Sequence, residues 1–113
     1  METIMVKLPE MEEVNFSFEP QYEEIPIRGN YMATGIEQLD REAEAAVLRE
    51  LENGNIYAWF CAAVTAEWRG IKETTYLGGC SYHDEKDFKR DHYDSMKDEA
   101  YKDLIATIKS LAK

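Results

Sequence analysis

The sequence predicts an α+β fold: an antiparallel sheet of three or four strands with a long β-hairpin, packed against two helices. Three observations carry that expectation. VNFSF (Val14 to Phe18) alternates apolar and polar residues with period two. Two longer stretches repeat apolar residues at three- and four-residue steps. Between them, NIYAWFCAAVTAEW and IKETTYLGGCSY are aromatic and β-branched runs joined at Arg69-Gly70. Strands and helices segregated in this way suit an α+β packing, and 113 residues suffice for one domain and one core.

Each element has its own warrant. Residues 1–30 form an acidic strand and loop segment, with Val14, Phe16 and Phe18 on the buried face of a strand that Pro20 ends. IPIRGNYMATG is a connection, since Pro26 and two glycines oppose a helix. A helix over 34–53 opens with TGIE, which has the capping-box spacing, and Asn53-Gly54 closes it. Its stripe is Ile36, Leu39, Ala43, Val47 and Leu51. The hairpin spans 55–82, and the small Ala58, Ala62 and Ala66 on one of its faces let a helix approach closely. Tyr57, Trp59, Phe60 and Trp68 read as core aromatics rather than a base-stacking platform. A second helix over 88–112 follows from Tyr93, Met96, Ala100, Leu104, Ile108 and Leu111, with Lys109 and Lys113 placed to suit the helix dipole.

Charge narrows the function. The formal net charge is −10, and its distribution is uneven. Residues 1–53 hold 13 Asp/Glu against 4 Lys/Arg, residues 54–82 hold 2 against 2, and residues 83–113 hold 8 against 7. The fifteen residues from Glu10 to Glu24 contain six glutamates and no Lys or Arg. A field of that sign repels the phosphate backbone, so direct binding of nucleic acid is disfavoured and a basic partner is favoured. No apolar run reaches the length of a membrane helix, and METIMVKLPE has none of the layout of a secretory signal. The expected location is the cytoplasm of a host cell, where Cys61 and Cys80 would remain thiols.

The stretch YLGGCSYHDEKDF (Tyr76 to Phe88) concentrates reactive residue types. A metal site would need Cys80 and His83 with Cys61 and His92, but this spacing matches no zinc ribbon or finger. A thiol enzyme would use Cys80 as nucleophile with His83 or His92 as base, in a neighbourhood whose acidity works against a thiolate. The simpler reading makes Gly78-Gly79 a bulge, Cys80 a small core residue, and Asp84 or Asp87 a helix cap. The expectation is therefore no catalytic residues, no metal and no cofactor.

DREAEAAVLRELENGN, IYAWFCAAVTAEW, YLGGCSY and DFKRDHYDSMKDEAYKDL together resemble a family of small acidic proteins carried by bacteriophages and other mobile elements. The resemblance covers about residues 30–105, is carried most by the GN-x-x-AW and LGGCSY motifs, and brings no catalytic residues with it. Phage proteins of this size and charge resemble anti-defence inhibitors, including anti-CRISPR proteins. That implies a non-enzymatic inhibitor of a host nucleic-acid-handling complex. Carboxylates on a rigid scaffold can imitate phosphates and occupy a Lys/Arg groove. The candidate partner-binding residues are Glu10, Glu12, Glu13, Glu19, Glu23 and Glu24, with Glu37, Asp40 and Glu44 on the exposed side of the first helix. A self-assembling structural or regulatory phage protein, dimerising through the aromatic face of the hairpin, is the alternative, and the thiol enzyme is third.

Overall fold

The computed structural model describes residues 7–31 and 34–112. Met32 and Ala33 of the expected connection, and Lys113 at the end of the second helix, lie outside the described residues. The elements in chain order are a 3-10 turn at Met11–Glu13, strand β1 (Asn15–Gln21), helix α1 (Glu37–Glu52), a 3-10 turn at Ile56–Ala58, strands β2 (Phe60–Trp68) and β3 (Ile71–Cys80), and helix α2 (Glu85–Leu111). The strands form one antiparallel sheet in the order β1-β2-β3, so the chain adopts the expected α+β fold with its hairpin and two helices.

The hairpin closes where Trp68 opposes Ile71. Arg69 (φ 50) and Gly70 (φ 84) both lie in the left-handed region, which is the requirement of a two-residue type I′ turn. Arg69 is an unusual occupant there, and its guanidinium lies 4.5 Å from the centre of the Trp68 ring, a contact that offsets part of the backbone cost. β2 starts later than its composition suggests, because Asn55 accepts a hydrogen bond from the Tyr57 N–H and holds residues 56–58, Ala58 included, in a tight turn. β1 does not stop at Pro20 but runs through it to Gln21. It is an edge strand, where a residue without an N–H need not break a ladder bond.

One face of the sheet carries Phe16 and Phe18 from β1, Phe60, Ala62, Val64 and Ala66 from β2, and Thr75, Leu77 and Cys80 from β3. α2 covers it with Phe88, Met96, Ala100, Leu104 and Ile108. The last four of those residues are spaced by four, and each such step rotates about 40° around a helix of 3.6 residues per turn, so the buried line winds around α2 as it follows the twisted sheet. The winding explains two departures from the expected stripe. Phe88 belongs to the core, whereas Leu111, which needs a three-residue step after Ile108, is exposed. α2 also begins three residues early, because the Asp84 side chain accepts the Asp87 N–H at 2.8 Å and caps the helix.

α1 departs further from expectation. The TGIE capping box does not form. Thr34 donates through Oγ1 to Asp40 Oδ1 at 2.7 Å, its own N–H donates to the same oxygen, and the helix starts at Glu37 with Ile36 at the N-cap. Gly35 (φ +88) turns the chain in between and directs Thr34 toward Asp40 rather than Glu37. Of the expected apolar stripe, Val47 and Leu51 pack with Ile27, Ala58 and Trp59 in a small cluster separate from the main core. Ile36 and Leu39 are 56% and 51% exposed. α1 therefore projects from the end of the sheet where β1 leaves and β2 enters. The molecule measures 68 × 24 × 19 Å, with a radius of gyration of 18.5 Å. A compact chain of this length would have about 13 Å.

The ring of Phe88 lies 5.2–5.4 Å from those of Phe18, Phe60 and Tyr82 and is fully buried. Phe88→Ala is expected to cost about 3–5 kcal/mol, measured by urea denaturation. A loss below about 1 kcal/mol would contradict this account of the core.

Candidate functional site

The Tyr76 to Phe88 stretch forms a structural junction. The β2–β3 register shifts between Phe60 and Ala62, and Gly78-Gly79 provides the extra residue on β3. Gly79 needs its positive φ of +65. A Cβ on Gly78 would stand 2.9 Å from Glu23 Oε2, so the double glycine makes room for that carboxylate. Glu23 reaches over from the segment after β1. One of its oxygens accepts the Gly79 N–H and the other accepts the Ile25 N–H at 3.0 Å. The Trp59 indole then donates to the Ile25 carbonyl at 2.8 Å. Glu23 thus fastens the exit of β1 to the end of β3.

The thiols and imidazoles around this junction are placed for packing. Cys80 is buried on the core face, and its Sγ donates to the Leu77 carbonyl at 3.2 Å. Burial pushes its pKa up to about 11, with the charges of Cys61 and Glu23 acting in the same direction. Cys61 is also raised, first by burial and then by Glu23. A thiol so disfavoured as thiolate is a poor nucleophile near neutral pH. The His92 ring lies 5.8 Å from that of Tyr82 and 5.5 Å from that of Phe88. His83 sits in the exposed loop, where its carbonyl accepts from Asn55. Among the described residues, no three His, Cys, Asp or Glu side chains converge to hold a metal ion. The four expected aromatics pack as core: Trp59 and Phe60 are buried, and Tyr57 and Trp68 line the main cluster.

The nine acidic candidates fall into three groups. Glu10, Glu12 and Glu13 lie at one end of the sheet, around the Met11–Glu13 turn, where Glu13 accepts the Glu10 N–H at 3.1 Å. Glu19 stands on the uncovered face of β1. Glu23 and exposed Glu24 lie beyond the other end of β1, which at seven residues is about 23 Å long. The acidic run is therefore a line along the molecule rather than a patch. On α1, Glu37 is exposed and pairs with Arg41 at 2.9 Å. Asp40 is engaged with Thr34, and that hydrogen bond holds its pKa below the ordinary carboxylate value. Glu44 is not on the exposed side. It is 8% exposed and accepts the Gly29 N–H, and its other oxygen is 3.9 Å from Arg41 Nε. The helix turns Glu44 toward the 26–29 loop, which needs an acceptor there.

Sequence reasoning missed the surface of α1 itself. Ile36, Leu39, Ala43 and Ala46 recur at coiled-coil spacing, and the outer part of that stripe is exposed. Ala43 and Ala46 form one wall of an open groove whose other wall includes Tyr31, Tyr82 and His83. Exposed Glu42 and Glu50 flank the stripe, and Leu48 is 45% exposed beside Ala45, Pro26 and Ile27. The heptad spacing is readable in the sequence. That it faces solvent is not, because a single stripe looks the same whether or not a sheet covers it. Among the described residues no helix is long and apolar enough to cross a membrane. In comparisons with known proteins, no family model, curated protein or solved structure matches this chain.

The raised Cys80 pKa has a definite sign. Up to about pH 9 the thiol is neutral both folded and unfolded, but between its ordinary value of 9.0 and about 11 only the unfolded form ionises, so stability falls as pH rises through that window. Cys80→Ala should reduce the fall in urea-derived stability across that range. Iodoacetamide at neutral pH should label Cys80 only after denaturation. Rapid labelling of the folded protein would contradict the burial argument.

Proposed function

We propose that the protein is a non-enzymatic binding protein that engages a basic surface on a host nucleic-acid-handling complex and inhibits it by occupying the place of phosphate, by analogy with anti-defence inhibitors of similar size and charge. The observation that carries this reading is the arm. α1 projects from the body and displays Ile36 and Leu39 on one side and Leu48 on the other, with five exposed or half-exposed acidic residues (Glu37, Asp40, Glu42, Glu50 and Glu52) against Arg41 and Arg49 along its length. Exposed apolar side chains within a net acidic surface are the composition of a docking surface for a basic partner. The line of carboxylates from Glu12 through Glu19 to Glu24 extends the same sign along the body, which suits a groove built for an elongated polyanion. Glu23, Asp40 and Glu44 serve the fold instead, so the displayed set is smaller than the sequence implies and gains Glu42. The thiol reading is the weaker one, because Cys80 is buried and its pKa lies well above neutral pH.

The test is capture of partners from bacterial lysate at about 50 mM and about 500 mM salt, conditions between which exposed charge attractions are strongly screened. A basic nucleic-acid-binding complex should be retained at low salt and released by high salt or added nucleic acid. Changing Glu12, Glu24, Glu37 and Glu42 to Lys should abolish capture while circular dichroism stays that of the parent, since among the described residues none of the four accepts a backbone hydrogen bond. Undiminished capture by that variant, or capture indifferent to salt, would overturn the reading.

A further inference from the structure

The two edges of the sheet differ. β1 is protected against pairing with another strand: it contains Pro20, and glutamates flank it at both ends. Two copies meeting there would bring the most acidic parts of a −10 chain together. β3 has no proline and no flanking glutamates; its two charges, Lys72 and Glu73, are of opposite sign, and its bulge lies at the far end, at Gly78-Gly79. From Ile71 to Leu77 it has neither Pro nor Gly, three of its seven residues are β-branched, and among the described residues no strand pairs with its outer side. It also belongs to the one part of the chain, residues 54–82, whose charges balance at 2 against 2.

We propose that β3 is a self-complementary edge, and that two copies pair their β3 strands antiparallel about a two-fold axis at Thr74 to make a continuous six-stranded sheet. The register follows from the side chains. An axis normal to the sheet keeps each face matched with itself, so it must fall on a residue that opposes its own copy. At Glu73 or at Lys72 it would set like charges directly against each other, and at Thr75 it would set Glu73 against Leu77. At Thr74 it sets Ile71 against Leu77 on the face under α2, Glu73 against Thr75, and Lys72 against Tyr76 on the open face. Tyr76 is 61% exposed in the single chain, and Lys72 gains an aromatic neighbour. Glu73 does not oppose the pairing, since its Oε1 already accepts the Thr107 hydroxyl at 2.6 Å. The contact uses the edge of the hairpin rather than its aromatic face, which α2 covers. It reverses strand direction between copies, so the two α1 arms leave from opposite ends of the joined sheet. The inference does not depend on the acidic-partner reading.

Sedimentation equilibrium from about 1 μM to about 1 mM should show the 13.1 kDa chain converting to twice that mass. The alternate amides of residues 71–77 that point away from β2 should gain hydrogen-exchange protection over the same range. Thr74→Lys places two ammonium groups on the axis and should leave a folded monomer at every concentration. Thr74→Cys, made with Cys61→Ser, should form a disulfide-linked dimer on mild oxidation, because residues opposed across an antiparallel pair bring their Cβ atoms within bonding range. Tyr76→Cys in the same background should not cross-link, since position 76 faces Lys72 of the other copy. A chain that stays monomeric throughout would overturn the proposal. So would a dimer that Thr74→Lys does not weaken, or one that the Tyr76→Cys chain cross-links as readily as the Thr74→Cys chain does.

Discussion

The structure depends on the burial of a single face of the sheet beneath α2. Phe60, Ala62, Val64 and Ala66 of the central strand are all 0% exposed, and the two alanines leave space for the helix to settle between larger neighbours. The opposite face is polar toward the hairpin turn, with Ser17, Thr65 and Thr74 in a row and a 2.7 Å hydrogen bond joining the two threonines, and carries Cys61 and buried Ala63 toward its other end. A sheet with one dry and one wet face tolerates no slip, because moving a strand by one residue would turn its whole apolar set outward. The bulge follows from the same constraint. Without the residue added at Gly78-Gly79, Cys80 would fall on the wet face; with it, Cys80 returns to the core opposite Phe60.

That burial also arranges the charge. Two of the six basic residues of α2 are laid over aromatic rings at the margin of the core: Lys89 and Lys97 lie 4.8 and 4.7 Å from the Tyr93 ring and also face Phe18 and Phe16. Their stems cover apolar surface while their heads stay wet. The acidic half keeps its charge largely on the outside, except where the backbone needs an acceptor. Glu23 and Glu44 meet that need from opposite sides of the 23–44 segment, one at the bulge and one at the 26–29 loop. They are the two glutamates whose chemistry is most structural.

Much of this was legible in the sequence because it rests on local pattern. The alternation of VNFSF, the Arg69-Gly70 turn, the Asn53-Gly54 stop and the four-residue steps of α2 each reflect short-range geometry. What was not legible depends on contacts distant in sequence. Glu23 meets Gly79 across fifty-six positions, and Thr34 meets Asp40 only because Gly35 turns the chain. The acidic run from Glu10 to Glu24 looked like one surface in the sequence, yet a strand divides it. Whether an apolar stripe faces core or solvent is decided by what stands opposite, which is why Ile36 and Leu39 were expected inside and are found outside.

The separation of the α1 cluster from the main core has a consequence for how the molecule can change. Val47 and Leu51 hold the arm against Ile27, Ala58 and Trp59, a cluster that meets the sheet only at its end, through Trp59 and the Gly79 bulge. The packing that holds the arm is thus small and largely its own, so its local stability is set apart from that of the sheet's main core. Substitutions on the outer surface of the helix are then nearly free of consequence for the body, and insertions that lengthen it meet no packed neighbour. Sequence change can therefore accumulate on this helix at little cost to the body that carries it.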